Sequence, residues 1–304
     1  MSYENQRNNY KSDYNKNSNY KSNQNTNYNS NKSDNYKSEN SKLEKGKSES
    51  DNFDLDESQA YIYGRNTILE ALNEKDKISK LYIQFGTEGP NIDKILALTY
   101  KYKIPSVKYD KRKFLDLEAK INAKNNSQGV IALVNQIENV EFEELFDKAL
   151  IDEEFPLIIA LDELKDPHNF GAIARTVECS GAYGILYPST NSVQVTPTAI
   201  KISAGALLIT KTSKVNSLKN VLEYAKTLGF QIIGSEMNSE KKYYEIDFRK
   251  PTILVIGSEG EGIRPSIKSL CDEVINIPLK GKISSLNASV SAGIILYEAM
   301  KQKL

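Results

Sequence analysis

Three polar loops near the C-terminus hold the residues best suited to chemistry. The first, Asp162-Glu-Leu-Lys-Asp-Pro-His-Asn-Phe-Gly-Ala-Ile-Ala-Arg-Thr176, follows the apolar run 157–161. In it, Asn169 is expected at a helix start, where it can cap, and Arg175 about a turn and a half inside. A helix N-terminus with an Arg nearby suits a phosphate, although a cap and a solvated Arg would look the same. The second loop, Gly257-Ser-Glu-Gly-Glu-Gly262, holds more glycines than a tight turn requires. Repeated Gly lets backbone approach a ligand closely, and the Glu259 carboxylate can accept a ligand N–H or O–H. The third loop spans 281–289. Ser284 or Ser285 is the expected N-cap of the last helix, with Asn287 in its first turn. His168 is the chain's single histidine. A lone loop His offers no catalytic pair, and no role is assigned to it.

These loops are positioned by an alternation of strands and helices from Pro156 onward. Strands are expected at 157–161, 184–187, 208–211, 231–234, 253–256 and 274–277, with helices between them. Continuous apolar strands separated by helices imply a parallel sheet covered on both faces. Right-handed crossovers then bring the strand C-termini to one edge, where ligands bind in open sheets. The second and third loops therefore read as one cofactor site. Their spacing fits neither a phosphate-binding P-loop nor a dinucleotide fingerprint.

Upstream, a smaller α/β region is expected over 59–136. It has a helix around Ile68, Leu69 and Leu72 capped by Asn66, and strands at 80–83, 105–109 and 128–134. Further helices carry Ile92, Ile95, Leu96 and Leu98, then Phe114, Leu115 and Leu117. Residues 137–155 are acidic, with Phe142, Leu145, Phe146 and Leu150 at helical spacing, and read as a linker helix. The region 156–304 carries the three loops.

Residues 1–58 differ in kind. No Ala, Val, Ile, Leu, Phe, Pro or Cys occurs between Met1 and Leu43. Such a segment cannot bury enough apolar surface to offset its ordering entropy, so disorder is expected. Its lysines and six tyrosines within residues 1–40 could form a loose RNA-contacting arm. The absence of any motif favours a low-complexity tail without a defined role. The whole chain balances 40 basic against 40 acidic side chains over 304 residues. Cys179 and Cys271 are isolated, which supports neither a disulfide framework nor a zinc site. No apolar run approaches the ~20 residues of a membrane helix. With no apolar segment at the N-terminus, a reducing cytoplasm is the expected location.

The three loops together resemble the three motifs of the SpoU (TrmH) family of RNA 2′-O-methyltransferases, in order and spacing. The residues that carry the likeness are Asp166-Pro-His-Asn-Phe-Gly-Ala-Ile-Ala-Arg-Thr, Ile256-Gly-Ser-Glu-Gly-Glu-Gly, and Ile277-Pro-Leu with Ser285-Leu-Asn-Ala-Ser. The block Ile200-Lys-Ile-Ser-Ala-Gly-Ala206 is similar as well. Tyr63-Gly-Arg-Asn-Thr-Ile-Leu-Glu-Ala-Leu and Gln128-Gly-Val resemble the small, ribosomal-protein-like RNA-binding domain of the RlmB-type subgroup. That subgroup methylates a guanosine ribose in large-subunit (23S) rRNA. Ser127 stands where a His is common, and Leu207 and Leu208 make their segment more apolar than usual.

The resemblance implies a trefoil-knotted (SPOUT) α/β domain, S-adenosylmethionine as cofactor, no metal, and a homodimer with composite sites near its interface. By position, backbone at Gly257, Ile277 and Leu286 would hold the cofactor. Asn169, Arg175, Glu259, Ser285 and Asn287 would line the reaction site. Arg175 could be a phosphate-assisted base or an electrostatic clamp. The resemblance also admits a tRNA ribose substrate, or a non-catalytic RNA-binding or assembly protein that kept the fold.

Overall fold

In a computed structural model, residues 60–73, 77–121, 123, 126–135, 139–282 and 285–304 are described. The expectations for residues 1–58 and Ser284 lie outside these residues. Two sheets organise the described chain. The first is built from β1 (Ala60–Tyr63), α1 (Arg65–Asn73), β2 (Ile78–Gln84), α2 (Pro90–Lys101), β3 (Ser106–Tyr109), α3 (Lys111–Lys120) and β4 (Val130–Val134). Its strand order is β1-β4-β2-β3; β4 is antiparallel to both neighbours, and β2 and β3 run parallel. Helix α1 starts at Arg65 after Gly64, whose φ is +94°. Asn66 therefore sits inside the first turn and does not cap it. Its Oδ1 accepts from Asn91 Nδ2 on α2 at 3.2 Å.

After α4 (Phe142–Asp152) comes the larger unit. Its elements are β5 (Leu157–Leu161), α5 (Pro167–Ser180), β6 (Gly184–Pro188), α6 (Pro197–Ile202), β7 (Thr212–Val215), α7 (Leu218–Thr227), β8 (Gln231–Ser235), β9 (Lys241–Lys242), β10 (Thr252–Ile256), α8 (Pro265–Lys268), β11 (Glu273–Asn276) and α9 (Ala288–Lys303). The strands form one parallel sheet in the order β7-β6-β5-β10-β8-β11-β9. The late strand β10 lies between β5 and β8, so chain segments far apart in sequence share the middle of the sheet. Every residue of β5, β6 and β10 is buried, as expected for strands covered on both faces.

Helices α5, α6 and α9 pack together. On α4, Phe142 meets Tyr224 of α7 at 5.8 Å between ring centroids, and Phe146 meets Phe230 at 5.3 Å. Helix α4 thus packs into the larger unit. The two sheets share one continuous apolar core. Lys201 Nζ on α6 lies 4.7 Å from the ring centroid of Tyr63 on β1.

One expected strand is displaced. Residues 206–208 form a tight 3-10 turn after Gly205, whose φ is +91°. Strand β7 starts only at Thr212. Leu207 and Leu208 are buried in that turn, whereas the strand itself reads Thr-Ser-Lys-Val. Its polar composition hid it, and the apolar pair mimicked it.

The tightest helix contact rests on Gly171 of α5. A Cβ there would lie 2.6 Å from the Ala199 carbonyl oxygen and 2.7 Å from Ile202 Cβ. We expect Gly171→Ala to destabilise the protein by roughly 1–3 kcal/mol through overpacking, against a gain of only ~1 kcal/mol in helix propensity. Denaturant titration would show it; an unchanged midpoint would mean that α6 yields freely.

Candidate active site

The chemistry-bearing loops leave the C-terminal ends of β5, β10 and β11. Helix α5 follows β5 and is capped by Asp166, whose Oδ1 accepts from the His168 amide at 2.9 Å. Asn169 is therefore not the cap. It lies in the first turn, 4 % exposed, with its amide group free for other partners. Its Nδ2 donates to Glu259 Oε1, and its Oδ1 accepts from Asn287 Nδ2 at 2.8 Å. The final helix is capped by Asn287 itself, whose Oδ1 accepts from the amides of Ser289 at 2.9 Å and Val290 at 3.4 Å. Ser285, expected as the cap, lies just outside the helix and lines the cleft instead. One hydrogen-bonded chain, Glu259–Asn169–Asn287, thus joins all three loops. It fixes the carboxylate of an exposed loop against a buried helix turn.

Beside it opens a cleft of about 300 Å³, at the lower end of ligand-site sizes. Of the residues expected to hold a cofactor, Gly257, Ile277 and Leu286 all line it, together with Glu259 and Ser285. The opposite wall is the loop after β8, Ser235 to Asn238, which the sequence did not single out. The only available signal was that β8 ends at the same sheet edge.

The glycines of the second loop have separate reasons. A Cβ at Gly257 would come within 2.2 Å of the Gly262 backbone carbon, where Ser258 and Gly262 exchange hydrogen bonds at 3.0 Å. Gly257 is therefore required by the loop's own closure. At Gly260 a Cβ would meet nothing within 4 Å, so that backbone is open.

The loop is also clipped from behind. Asp162, fully buried at the end of β5, accepts from Arg264 through its amide at 2.8 Å, Nε at 2.8 Å and Nη2 at 2.6 Å. The Arg264 Nη1 also reaches Glu163 at 3.2 Å. Hydrogen bonding to Asp162 raises the guanidinium pKa above its ordinary value. Across the cleft wall, Lys268 pairs with Glu236.

Arg175 stands apart. It is exposed on α5, makes no hydrogen bond or ion pair among the described residues, and does not line the cleft. Its neighbour Thr176 faces Gly293 of α9, with Cγ2 3.7 Å from the position of a Cβ. Burial, and then Asp272, push the Cys271 thiol up to about 11, so it is no thiolate nucleophile at neutral pH. Among the described residues no cluster of His, Cys, Asp or Glu is arranged to hold a metal, and no helix is long and apolar enough to cross a membrane.

The cleft suits a cationic, partly apolar ligand. Ile256, Ile277, Leu279 and Leu286 provide apolar walls. Among the described residues, Glu236, Glu259 and Glu261 are its charged lining, and no Lys or Arg lines it. That donor set matches S-adenosylmethionine, which carries a sulfonium and an ammonium beside an adenosine.

Comparison with known proteins agrees with this geometry. Residues 156–297 match the model of the SpoU rRNA Methylase family. Residues 61–140 match a model described as RNA 2′-O ribose methyltransferase substrate binding. A Bacillus subtilis (strain 168) protein named for the TrmH family of tRNA/rRNA methyltransferases, YacO, is 34 % identical over 249 residues, covering 82 % of this chain and 98 % of that one. A Staphylococcus saprophyticus protein named for the same family is 35 % identical over 242 residues, covering 80 % and 95 %.

Among solved structures, one described as an RNA 2′-O ribose methyltransferase superposes with a TM-score of 0.66 at 25 % identity, over 81 % of this chain and 89 % of that one. The AdoMet complex of the SpoU methyltransferase AviRb from Streptomyces viridochromogenes reaches 0.66 at 23 % identity, over 81 % and 91 %, a likeness of fold. The parallel sheet, with β10 returned between β5 and β8 and α9 folded onto α5, is the SPOUT methyltransferase fold expected above. The chain belongs to the SpoU (TrmH) family of S-adenosylmethionine-dependent RNA methyltransferases.

Proposed function

We propose that this protein transfers a methyl group to the ribose 2′-hydroxyl of a guanosine in large-subunit rRNA, with S-adenosylmethionine bound between the loops 257–262 and 277–286. The observation that carries this reading is that one chain holds both a substrate-binding match at residues 61–140 and a SpoU methylase match at residues 156–297, which we take as an RNA-binding unit over 59–136 and a methyltransferase unit over 156–304. The cofactor supplies an electrophilic methyl group on a sulfonium, so the chain's own task is to align the ribose and handle the hydroxyl proton.

Alignment alone can supply ~7–11 kcal/mol of barrier reduction. The Glu259–Asn169–Asn287 chain prepares it by holding the second loop at one distance from α5 and α9. Ser285 stands at the cleft edge, where a hydroxyl can orient the ribose. Arg175 anchors an RNA phosphate and stabilises charge developing at the 2′-oxygen, whose proton passes to that phosphate or to water.

The protein acts as a homodimer in this reading. On α9, Val290 and Tyr297 are each 48 % exposed, with Ile294 between them at helical spacing. A second copy seated there would cover this apolar face and lie close to Arg175. Sedimentation should then show a dimer for the unaltered protein and a monomer for Tyr297→Glu. In this reading the protein works in the cytoplasm, beside its RNA substrate.

The test of the substrate is ribose-methylation mapping of rRNA and tRNA from cells lacking the protein. Loss of one 2′-O-methylguanosine in large-subunit rRNA supports the proposal. Loss confined to a tRNA reassigns the substrate, and no loss in either leaves a non-catalytic role.

A further inference from the structure

Phe85 is 75 % exposed on the loop that follows β2, and no ring partner meets it among the described residues. An aromatic ring left in water on an ordered loop gives up roughly 1.5–3 kcal/mol of burial free energy, so folding does not account for it. The loop is well held. The Phe85 amide donates to the Tyr109 carbonyl at 2.7 Å, and the Gln84 amide to Gly129 at 3.0 Å. Arg65 braces the loop from below, with Nη1 to the Glu88 carbonyl at 3.3 Å and Nε to the Gln128 carbonyl at 3.1 Å. Next to Phe85, Gly86 has a φ of +81° and open space where a Cβ would be, so a ligand can approach the backbone.

The parallel register pairs Gln84 with Tyr109. That sets Phe85 beside the turn into α3, where Lys108, Lys111, Arg112 and Lys113 are all exposed. The nearby carboxylate of Asp110 accepts the amides of Arg112 and Lys113 at 2.9 and 3.0 Å, and those hydrogen bonds lower its pKa. Three successive cations in the first turn of a helix oppose its dipole, and Asp110 at the N-cap offsets part of that cost.

We propose that this corner is an RNA-contacting surface, with Phe85 stacking on an unpaired base while the 108–113 cations hold the phosphates on either side. Aromatic rings beside clustered cations are the usual means of gripping single-stranded nucleic acid. Structured RNA offers such bases in its loops and bulges. The corner lies within the segment matched to a substrate-binding model. The inference rests on RNA being the substrate and adds where that RNA is held, far in sequence from the reaction loops.

The test uses the full chain and two labelled RNAs, a large-subunit rRNA transcript and a fully paired duplex. Phe85→Ala is expected to weaken binding of the transcript about 5- to 100-fold and to raise KM with kcat unchanged. Duplex binding and S-adenosylmethionine binding should stay within twofold. Phe85→Trp should restore affinity. The triple Lys111→Ala, Arg112→Ala, Lys113→Ala variant should lower the slope of log affinity against log salt by about 2. Wild-type affinity in Phe85→Ala, or equal losses on transcript and duplex, would overturn the stacking role. If wild-type protein methylates no rRNA, the substrate reading fails instead, and the two failures are told apart by the wild-type control.

Discussion

Replacing Arg175 with Ala is expected to reduce methyl transfer by at least about 10²–10³-fold, the cost of losing one preorganised charge at a reacting oxygen. S-adenosylmethionine affinity should not change. The reason is positional. The cleft is lined by the loops after β8 and β10 and by Ile277, Leu279, Ser285, Leu286, Ala288 and Ser291, and Arg175 is not among its lining residues. It is exposed on α5 without a partner among the described residues, so its removal leaves no buried group unsatisfied and should not lower the melting temperature. Single-turnover kinetics with saturating cofactor, beside calorimetric titration of the cofactor, separates the two effects. Arg175→Lys keeps the charge but not the fork that grips a phosphate with two hydrogen bonds, and should recover only part of the rate. Loss of cofactor binding would place Arg175 in the cofactor pocket. Near-normal turnover would remove it from the site altogether.

Arg264→Met is the second large effect, and it runs through stability and geometry together. Asp162 is fully buried and depends on Arg264 for three hydrogen bonds. The amide bond survives the substitution, but the two guanidinium bonds do not. Removing one partner of a buried pair costs about 3–5 kcal/mol, because the remaining charge is left uncompensated. The Arg264 side chain is 39 % exposed, so water partly replaces it, and the lower end, about 3 kcal/mol, is expected. Denaturant unfolding measures that loss. The same clip holds the end of the 257–262 loop against β5, so cofactor affinity should fall as well. A substitution that costs less than about 1 kcal/mol and spares cofactor binding would show that the Ser258–Gly262 closure holds the loop unaided.

Much of this architecture was legible because parallel strands buried on both faces read as continuous apolar runs. Their C-terminal loops carried Gly, Ser and Asn in excess of what turns need. Gly257 and Glu259 were found that way, while Ile277, Ser285 and Leu286 came from the resemblance to the family's motifs; all five line the cleft. The capping assignments at α5 and α9 failed for a common reason. Asp166 and Asn287 both outcompete their neighbours for the helix amides, and the Asp-Pro pair at 166–167 was the available signal. The Asp162–Arg264 clip joins residues 102 positions apart, a distance that no local pattern reaches. The wall at 235–238 carries no glycine run and became visible only when the sheet order set β8 beside β10. Phe85 lies beyond the expected strand 80–83 and drew no reading, since exposure cannot be read from residue type.

The most direct measurement is methyl transfer by the full chain from S-adenosylmethionine labelled on its methyl group. Purified large-subunit rRNA and tRNA would be supplied separately, then digested to nucleosides and analysed chromatographically. The label should appear in 2′-O-methylguanosine from large-subunit rRNA and should be absent with Arg175→Ala. Label on a base, or none in either RNA while the cofactor binds the cleft, would contradict it.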